Sequence, residues 1–247
     1  MKINDCIVVT GASSGIGLSV VRRLLADGKN VVAADRNPPT ITDMPSRTME
    51  NFLSVVCDLT SENGVETLVN KIKSRFSTVS GFVHCAGFVR TAPLSYILPD
   101  DASAMYSIHA LFPLRFLGWL AKKANHSEKT ACVLISSMAC HEGDRGNAAY
   151  AAAKGAVEGM LKCAASELIS KGIRINALVL GIIDTPLAHN SWMDSSSAEQ
   201  LAAKKKQYPL GFGSPDNIAG IVDFFLSPLS DWVTGQTLVC DGGHSIC

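Results

Sequence analysis

Short runs of apolar, largely β-branched residues alternate along this chain with longer segments whose apolar residues recur at helical spacing. The short runs, at 6–10, 30–34, 52–57, 81–85, 130–136, 174–179 and 237–239, predict strands. The longer segments, at 16–26, 62–76, 102–123, 148–170 and 216–226, predict helices. Strands that alternate with helices form βαβ units, and parallel strands buried on both faces read as continuous apolar runs. The chain therefore predicts an α/β fold built on a parallel sheet.

The composition is that of a globular protein with neither a nucleic-acid nor a membrane partner. Apolar residues make up 47% of the 247 residues and charged residues 18%, which is enough for a sizeable core. Lysine and arginine number 22, as do aspartate and glutamate, and no basic stripe is present for nucleic acid to bind. No apolar stretch has the length of a membrane span. Without a linker or an internal repeat, we expect a single domain over 1–247.

The eight cysteines are scattered, and none forms a C-x-x-C pair or lies near histidines at metal-ligand spacing. Several fall inside apolar runs, where cysteine behaves as a small buried hydrophobe. This usage predicts reduced thiols, no metal site and a cytoplasmic location. The N-terminal residues lack the pattern of a signal peptide, which agrees with that location.

Two segments interrupt the alternation. Residues 37–51 are rich in proline, threonine and serine and predict an irregular loop. Residues 182–213 form a longer insertion with a serine run and three consecutive lysines, 204–206, that suggest a solvated helix face. The insertion follows the carboxyl end of a predicted strand, where parallel-sheet proteins bind their ligands. We predict that 182–213 is a substrate lid.

A glycine-rich turn, TGASSGIG at 10–17, joins the first predicted strand to the first predicted helix. Glycines there let the backbone approach a pyrophosphate, and the helix N-terminus offers free N–H groups to its charge. The spacing is Gly-x-x-x-Gly-x-Gly, and its position between strand and helix favours dinucleotide binding. The predicted contacts are Gly11, Ser13, Ser14, Gly15, Ile16 and Gly17.

Acidic residues follow the next two predicted strands. Asp35 ends the second strand and fits a carboxylate that accepts hydrogen bonds from the adenosine ribose, unless it merely starts a turn. Such a carboxylate repels a 2′-phosphate and favours NAD over NADP, whereas Arg36 beside it would welcome that phosphate. Asp58 and Leu59, after the third strand, predict either a contact with the adenine edge or an entry into the next helix.

Tyr150 and Lys154 are four residues apart in a predicted helix, which places them on one face, one turn apart. A free tyrosine has a pKa near ~10, and a neighbouring ammonium lowers that pKa toward the range of a general acid/base. The same spacing occurs by chance on solvated helix faces, so its meaning depends on the other motifs.

Taken in order, these motifs resemble the short-chain dehydrogenase/reductase family. The match covers nearly the whole chain: TGASSGIG at 10–17, Asp35, Asp58-Leu59, Cys85-Ala86-Gly87, Ser136-Ser137, Tyr150 with Lys154, GIRINALVLGIIDTP at 172–186 and TGQTLVCDGG at 234–243. Each fragment alone is weak evidence for the family, but the whole set in this order is specific to it. The resemblance implies a single-domain, doubly wound Rossmann sheet of about seven parallel strands, one nicotinamide site and a homotetramer.

The resemblance also implies roles for individual residues. Tyr150 would be the general acid/base, Lys154 would lower its pKa and hold the nicotinamide ribose, and Ser137 would hydrogen-bond the substrate oxygen. Ser136 would be the last residue of its strand. Thr185 would bond the carboxamide. The other contacts of the cofactor would come from Cys85, Ala86, Gly87, Gly181 and Ile183.

The sequence departs from the family pattern at three places. The usual Asn-Asn-Ala-Gly reads His84-Cys85-Ala86-Gly87, and the usual Pro-Gly after the sixth strand reads Leu180-Gly181. His109 stands where the family has an asparagine that holds a water in a proton relay from Lys154. Imidazole also bonds water and titrates near ~6.5, so His109 either continues the relay with altered pH dependence or only packs.

The sequence leaves several substrate classes possible. Arg90 and His141 would face the site, and their surroundings resemble dehydrogenases of carboxylated cyclohexadiene diols such as 2,3-dihydro-2,3-dihydroxybenzoate. Arg90 would then pair with the carboxylate, or it is a surface side chain at a loop tip. A largely apolar pocket leaves a 3-oxoacyl or steroid-like ketone open; its predicted members are Met138, Leu180, Leu187, Trp192 and Met193.

We therefore predict an NAD-dependent oxidoreductase that transfers a hydride to or from a secondary alcohol or ketone while Tyr150 moves the matching proton. The alternative is a non-catalytic dinucleotide-binding protein of the same fold, suggested by His84 and His109. The intact Ser137, Tyr150 and Lys154 argue against that alternative. A metal-dependent hydrolase lacks any ligand spacing.

Overall fold

A computed structural model describes residues 3–41 and 50–247. Its centre is a seven-stranded sheet in the order β3-β2-β1-β4-β5-β6-β7, with every neighbouring pair parallel. The strands are β1 Ile3–Thr10, β2 Val31–Asp35, β3 Phe52–Val56, β4 Phe76–His84, β5 His126–Ser137, β6 Ile173–Leu180 and β7 Thr237–Cys240. The predicted α/β fold with a doubly wound parallel sheet is confirmed.

Helices cover both faces of the sheet. They are α1 Gly15–Ala26, α2 Gly64–Arg75, α3 Pro99–Tyr106, α4 Phe112–Leu120, α5 Ala148–Leu168, α6 Ala198–Lys206 and α7 Pro215–Leu226. Because successive strand residues point to opposite faces, Val9 joins one core with α1 and α7, and Val8 joins another with α2, α4 and α5. The apolar runs of the sequence are thus the strands buried between two helical layers.

Several predicted bounds differ from the structure, and the largest differences are in one helix and one strand. The helix expected over 102–123 starts earlier, at Pro99, ends at Leu120, and is interrupted by a wider π-helical turn, Ser107–Leu111. β4 begins at Phe76, five residues before the predicted start, because the polar side chains of its first half hide the apolar pattern there. The π-helical turn contains His109, and such turns often mark functional sites.

The two irregular segments have different outcomes. Of residues 37–51, the predicted loop, positions 42–49 lie outside the described residues. The 182–213 segment is closed at its neck by a bridge between Ile183 and Gly213, with hydrogen bonds from Asp184 N to Gly213 O (2.8 Å) and from Gly213 N to Ile182 O (3.0 Å). It contains α6, which carries the predicted lysine face.

The strand order reverses between β1 and β4, whose neighbours continue in opposite directions. In open α/β sheets the ligand crevice lies outside the carboxyl ends of the strands at such a switch point. Thr10 ends β1 and His84 ends β4, so the glycine-rich turn and the His84–Gly87 stretch meet there. Among the described residues, no helix is both long and apolar enough to cross a bilayer.

Candidate active site

Two adjoining cavities open at the carboxyl ends of the strands. The glycine-turn cavity, about 420 Å³, is lined by all the residues of 11–17 except Ala12, and by Asp35, Arg36, Asp58 and Leu59. The tyrosine cavity, about 560 Å³, is lined by Ser137, Tyr150, Lys154 and His109. They share a wall formed by Ile16, Cys85, Gly87, Thr185 and Leu187. A third hollow, about 860 Å³, lies at the amino ends of the strands and contains none of the predicted site residues.

The glycine-rich turn is packed so closely that side chains would not fit. A Cβ on Gly17 would lie 2.1 Å from the carbonyl oxygen of Gly11, and one on Gly11 would lie 2.6 Å from the amide nitrogen of Ala86. Gly11 also has a φ of 68°, in the left-handed region. Ser14 caps α1 without a side-chain hydrogen bond to the helix amides. These amides face an open cavity, an arrangement that fits a pyrophosphate.

Asp35 is fixed at the edge of the glycine-turn cavity. Its Oδ2 accepts a hydrogen bond from the amide of Ser13 (3.1 Å), and its Oδ1 accepts one from the amide of Asn37 (3.2 Å). The carboxylate therefore ties the glycine-rich turn to the end of β2 at the cavity wall. Arg36 lines the same cavity as an exposed side chain.

Asp58 has a structural task in addition to its place in the cavity wall. Its Oδ1 accepts hydrogen bonds from the amide (2.9 Å) and the hydroxyl (2.7 Å) of Thr60, and these bonds lower the pKa of the carboxyl. Leu59 is buried. Asp58 thus shapes the turn that leads into α2, and the predicted helix entry and the predicted contact with the adenine edge are compatible.

Ser137, Tyr150 and Lys154 meet on one wall of the tyrosine cavity. Ser137 ends β5, while Tyr150 and Lys154 lie one turn apart on α5. The Lys154 Nζ lies 5.8 Å from the centre of the Tyr150 ring and donates a hydrogen bond to the carbonyl of Ile135 (2.8 Å). The adjacent Ser136 points the other way, and its hydroxyl donates to Glu158 Oε1 (2.7 Å).

Burial dominates the acid/base properties of this pair. It raises the pKa of Tyr150 to about 12, against the opposing effect of a hydrogen bond with Ser137. Burial also lowers the pKa of Lys154 to about 8. The lowering of the tyrosine pKa by Lys154 stays a prediction, since burial outweighs every opposing effect on Tyr150 in this geometry. The hydrogen bond from Ser137 is the interaction that favours the phenolate.

His109 lies in the π-helical turn, buried and edge-on to Tyr150 with 5.4 Å between ring centres. Its Nε2 is 2.9 Å from the carbonyl oxygen of Phe88, which can only accept, so Nε2 carries the hydrogen. Burial, and then the charge of Lys154, hold the pKa of His109 well below its usual value. Nδ1 is therefore a bare acceptor, and it has no hydrogen-bond partner within the described residues.

His84 stands where the family has an asparagine, and its buried ring connects two segments of the chain by hydrogen bonds. Its Nδ1 accepts from the Thr10 hydroxyl (2.8 Å), and its Nε2 donates to the carbonyl of Ile108 (2.9 Å). The ring thus joins the end of β1 to the π-helical turn that holds His109. Burial lowers the pKa of His84 to about 3.

The pKa of His84 predicts an acid-sensitive fold. Between about 3 and its ordinary value of 6.5, the unfolded chain binds a proton that the folded chain excludes, so stability falls as the pH falls through this window. One such histidine costs about 2 kcal/mol between about pH 7 and about pH 5. We expect His84→Asn to reduce this slope in denaturant titrations at several pH values. A core variant that keeps every histidine, Phe116→Leu, should lower stability and retain the slope.

Three predicted substrate residues do not line the tyrosine cavity. Arg90 is two-thirds exposed and lies 3.9 Å from the Asp101 carboxylate, as expected of a surface side chain. His141 turns toward Glu158 (3.1 Å). Met193 ends a second π-helical turn, His189–Met193, and is not among the residues that line the cavity. The carboxylate-binding role considered for Arg90 therefore has no geometric support.

The tyrosine cavity has an apolar wall and a polar wall. Met138, Leu180, Leu187 and Trp192 lie on the apolar wall as predicted, and Gly181, Ile183 and Thr185 border them. The sequence analysis missed the polar lining residues Thr91, Glu142, Asp144, Arg145, Asn147, Ser191, Ser196, Gln200, Lys204 and Tyr208. They come from three distant stretches of the chain, so no spacing could bring them together. The expected largely apolar pocket is confirmed, and the polar side chains are an addition to its lining.

Known proteins resemble this chain over its full length. A family model described as enoyl-(acyl carrier protein) reductase matches residues 11–245. An (S)-acetoin-forming diacetyl reductase of Staphylococcus aureus is 28% identical and covered over 98% of each chain. A 3-oxoacyl-acyl-carrier-protein reductase of Thermotoga maritima is 28% identical over 96% of each. A solved structure of a short chain dehydrogenase family protein from Francisella tularensis superposes with a TM-score of 0.87 at 25% identity, covering 100% of both chains.

Proposed function

Because the chain belongs to the short-chain dehydrogenase/reductase family, whose members are nicotinamide-dependent oxidoreductases, we propose that it transfers a hydride between NAD and a secondary alcohol or ketone. The observation that carries the proposal is the meeting of Ser137, Tyr150 and Lys154 beside the wall shared by the two cavities. The glycine-turn cavity would hold the dinucleotide, and the tyrosine cavity would hold the substrate.

Side chains of this protein would donate and accept the proton that accompanies hydride transfer. The bound nicotinamide supplies or takes the hydride. Ser137 and Tyr150 would hold the substrate oxygen, and Tyr150 would donate its proton to that oxygen in reduction and accept it in oxidation. A pKa of about 12 keeps Tyr150 protonated at neutral pH, which suits the donor role in reduction. Lys154, with a pKa of about 8, would place a positive charge beside Tyr150 at neutral pH.

The proposal is tested by following the absorbance of the reduced nicotinamide with a panel of secondary alcohols and ketones. Diacetyl and a 3-oxoacyl thioester belong in the panel because the two relatives are named for such substrates. We expect turnover with at least one member. Tight binding of NADH without turnover anywhere in the panel would instead favour the non-catalytic alternative.

We expect NADH to bind more tightly than NADPH because the fixed carboxylate of Asp35 accepts hydrogen bonds from ribose hydroxyls and repels a 2′-phosphate. Hydrogen bonds to a charged group are worth about 1.5–3 kcal/mol, so Asp35→Ser should weaken NADH binding roughly 10-fold to 100-fold and narrow the preference. Arg36→Ser is the adjacent control and should keep the preference for NADH. A titration in which wild-type protein binds NADPH more tightly would overturn the assignment.

His109 should affect the pH dependence of turnover. His109 lines the cavity that contains Tyr150 and Lys154, and its Nδ1 is buried without a hydrogen-bond partner among the described residues; we propose that Nδ1 accepts a hydrogen bond from a water in the proton path. His109→Asn replaces this acceptor with an amide and should shift the pH profile of kcat while NADH binding is unchanged. If the two pH profiles superpose, His109 serves packing alone.

A further inference from the structure

Glu142 is a half-buried acidic side chain on the polar wall of the tyrosine cavity, the wall formed with Asp144, Arg145, Lys204 and Tyr208. Its Oε1 is buried and lies 2.9 Å from His244 Nε2, with the two side chains 23% and 16% exposed. Glu142 follows the turn after Ser137, so the strand that ends at the serine also delivers this carboxylate to the cavity.

His244, the neighbour of this carboxylate, is itself fixed by its contacts. Its Nδ1 donates to the carbonyl of Gln207 (2.8 Å), and its ring stacks on Tyr208 with 4.4 Å between centres and 10° between planes. The segment that carries His244 is anchored at Asp241, whose carboxylate accepts from the amides of Gly243 (3.0 Å) and Ser245 (2.8 Å). The C-terminal segment thus places a fixed imidazole beside the carboxylate of Glu142.

One oxygen of Glu142 remains available to a ligand. An ionised carboxylate has about four acceptor positions, and the buried Oε1 has no hydrogen-bond partner among the described residues, although His244 Nε2 lies 2.9 Å from it. Oε2 has no hydrogen-bond partner in the part of the chain that the structure describes. The negative charge is felt in the cavity, since Glu142 adds to the effect of burial that raises the pKa of Tyr208 to about 12.

The other charges of the wall are less well placed to select a ligand. Asp144 and Arg145 are exposed, and water and salt screen exposed charges. Lys204 is half-buried on a long, flexible side chain at the C-terminal end of α6, where it follows the solvated face of that helix. Fixing such a side chain on a ligand costs conformational entropy, whereas Glu142 has a fixed imidazole beside it.

We propose that Glu142 is a specificity-determining residue, whose free oxygen accepts a hydrogen bond from a hydroxyl or ammonium group that the substrate carries away from its reacting carbon. The inference rests on the proposed function and names the substrate class for the same site. A half-buried carboxylate gains from such a donor, is left unpaired by a purely apolar substrate, and repels a carboxylate. It therefore disfavours carboxylated diols, fatty acyl chains and unsubstituted steroid-like ketones.

The test uses methyl ketones of equal length that end in a methyl, a hydroxyl, an ammonium or a carboxylate group, over a series of chain lengths. With wild-type enzyme we expect kcat/KM to be on the order of 10-fold to 100-fold higher for the hydroxyl or ammonium end than for the carboxylate end. Glu142→Gln should remove most of this preference. Glu167→Gln, an exposed carboxylate on the outer part of α5, is the matched control and should leave it unchanged.

The outcomes are distinguishable. No turnover of any ketone by wild-type enzyme would contradict the proposed function itself. Turnover with a preference for the carboxylate or methyl end would overturn the role of Glu142 and leave hydride transfer intact, as would an unchanged preference in folded Glu142→Gln. If Glu142→Gln fails to fold, the wild-type ranking still decides, and His244→Gln, which removes the imidazole beside the carboxylate, should weaken the preference in part.

Discussion

Replacing Tyr150 with phenylalanine should lower kcat by roughly 10²-fold to 10⁴-fold, the usual contribution of a positioned general acid/base. The change removes the only oxygen of the side chain and keeps the ring against which His109 packs at 5.4 Å. Cofactor binding should therefore be retained, and the loss should appear in kcat more than in KM. Steady-state kinetics on the best ketone of the panel, together with an NADH titration, measure both quantities.

The matched control is Tyr96→Phe, since Tyr96 is 76% exposed and lies outside both cavities. This variant should have the kinetics of the wild type. Full activity in Tyr150→Phe would remove the tyrosine from the mechanism. A loss of NADH binding as large as the loss of turnover would show that the hydroxyl serves the cofactor and not the proton.

The second large effect is expected at Gly87, where the His109 ring covers the backbone. A Cβ at this position would lie 2.0 Å from Cε1 and 2.7 Å from Nδ1 of the buried imidazole. Overpacking of this kind costs about 1–3 kcal/mol, and here it displaces the ring that packs edge-on to Tyr150. Gly87→Ala should therefore lower both the free energy of unfolding and kcat.

A double variant assigns the cause. The double variant Gly87→Ala with His109→Ala removes the clash, so the loss of unfolding free energy caused by Gly87→Ala should largely vanish in it. Denaturant titrations of the two single variants and the double variant measure this difference as a coupling energy. Gly159→Ala, on α5 with no atom within 4 Å of the added methyl, is the control and should be neutral or slightly stabilising. Additive costs at 87 and 109 would mean that the two residues do not share this space.

The sequence predicted the elements that follow from strong local patterns. Runs such as 6–10 and 130–136 are apolar because both faces of the sheet are covered, and Ser214-Pro215 starts α7 with a capping box. The glycine-rich turn and Asp35 were also readable, since their residue types follow from close backbone approach and from the end of a strand. Boundaries hidden by polar residues, such as the start of β4 at Phe76, were not.

Features that depend on packing could not be read in advance. Local periodicity does not distinguish a π-helical turn from an α-helical one, so the break at 107–111 was missed. The balance of burial and charge at Tyr150 depends on depth, which a four-residue spacing does not contain. Glu142, Tyr208 and His244 meet only because three distant segments converge at one cavity.

The central claim is that hydride passes directly between the nicotinamide and the carbon of the substrate beside Tyr150. It is tested most directly by reducing a ketone of the panel with NADH carrying deuterium on the transferring face of its nicotinamide ring, and locating the label in the product. We expect deuterium on the new carbinol carbon, in one configuration, and a primary isotope effect when the chemical step limits the rate. A product without deuterium at that carbon, formed at the normal rate, would contradict it.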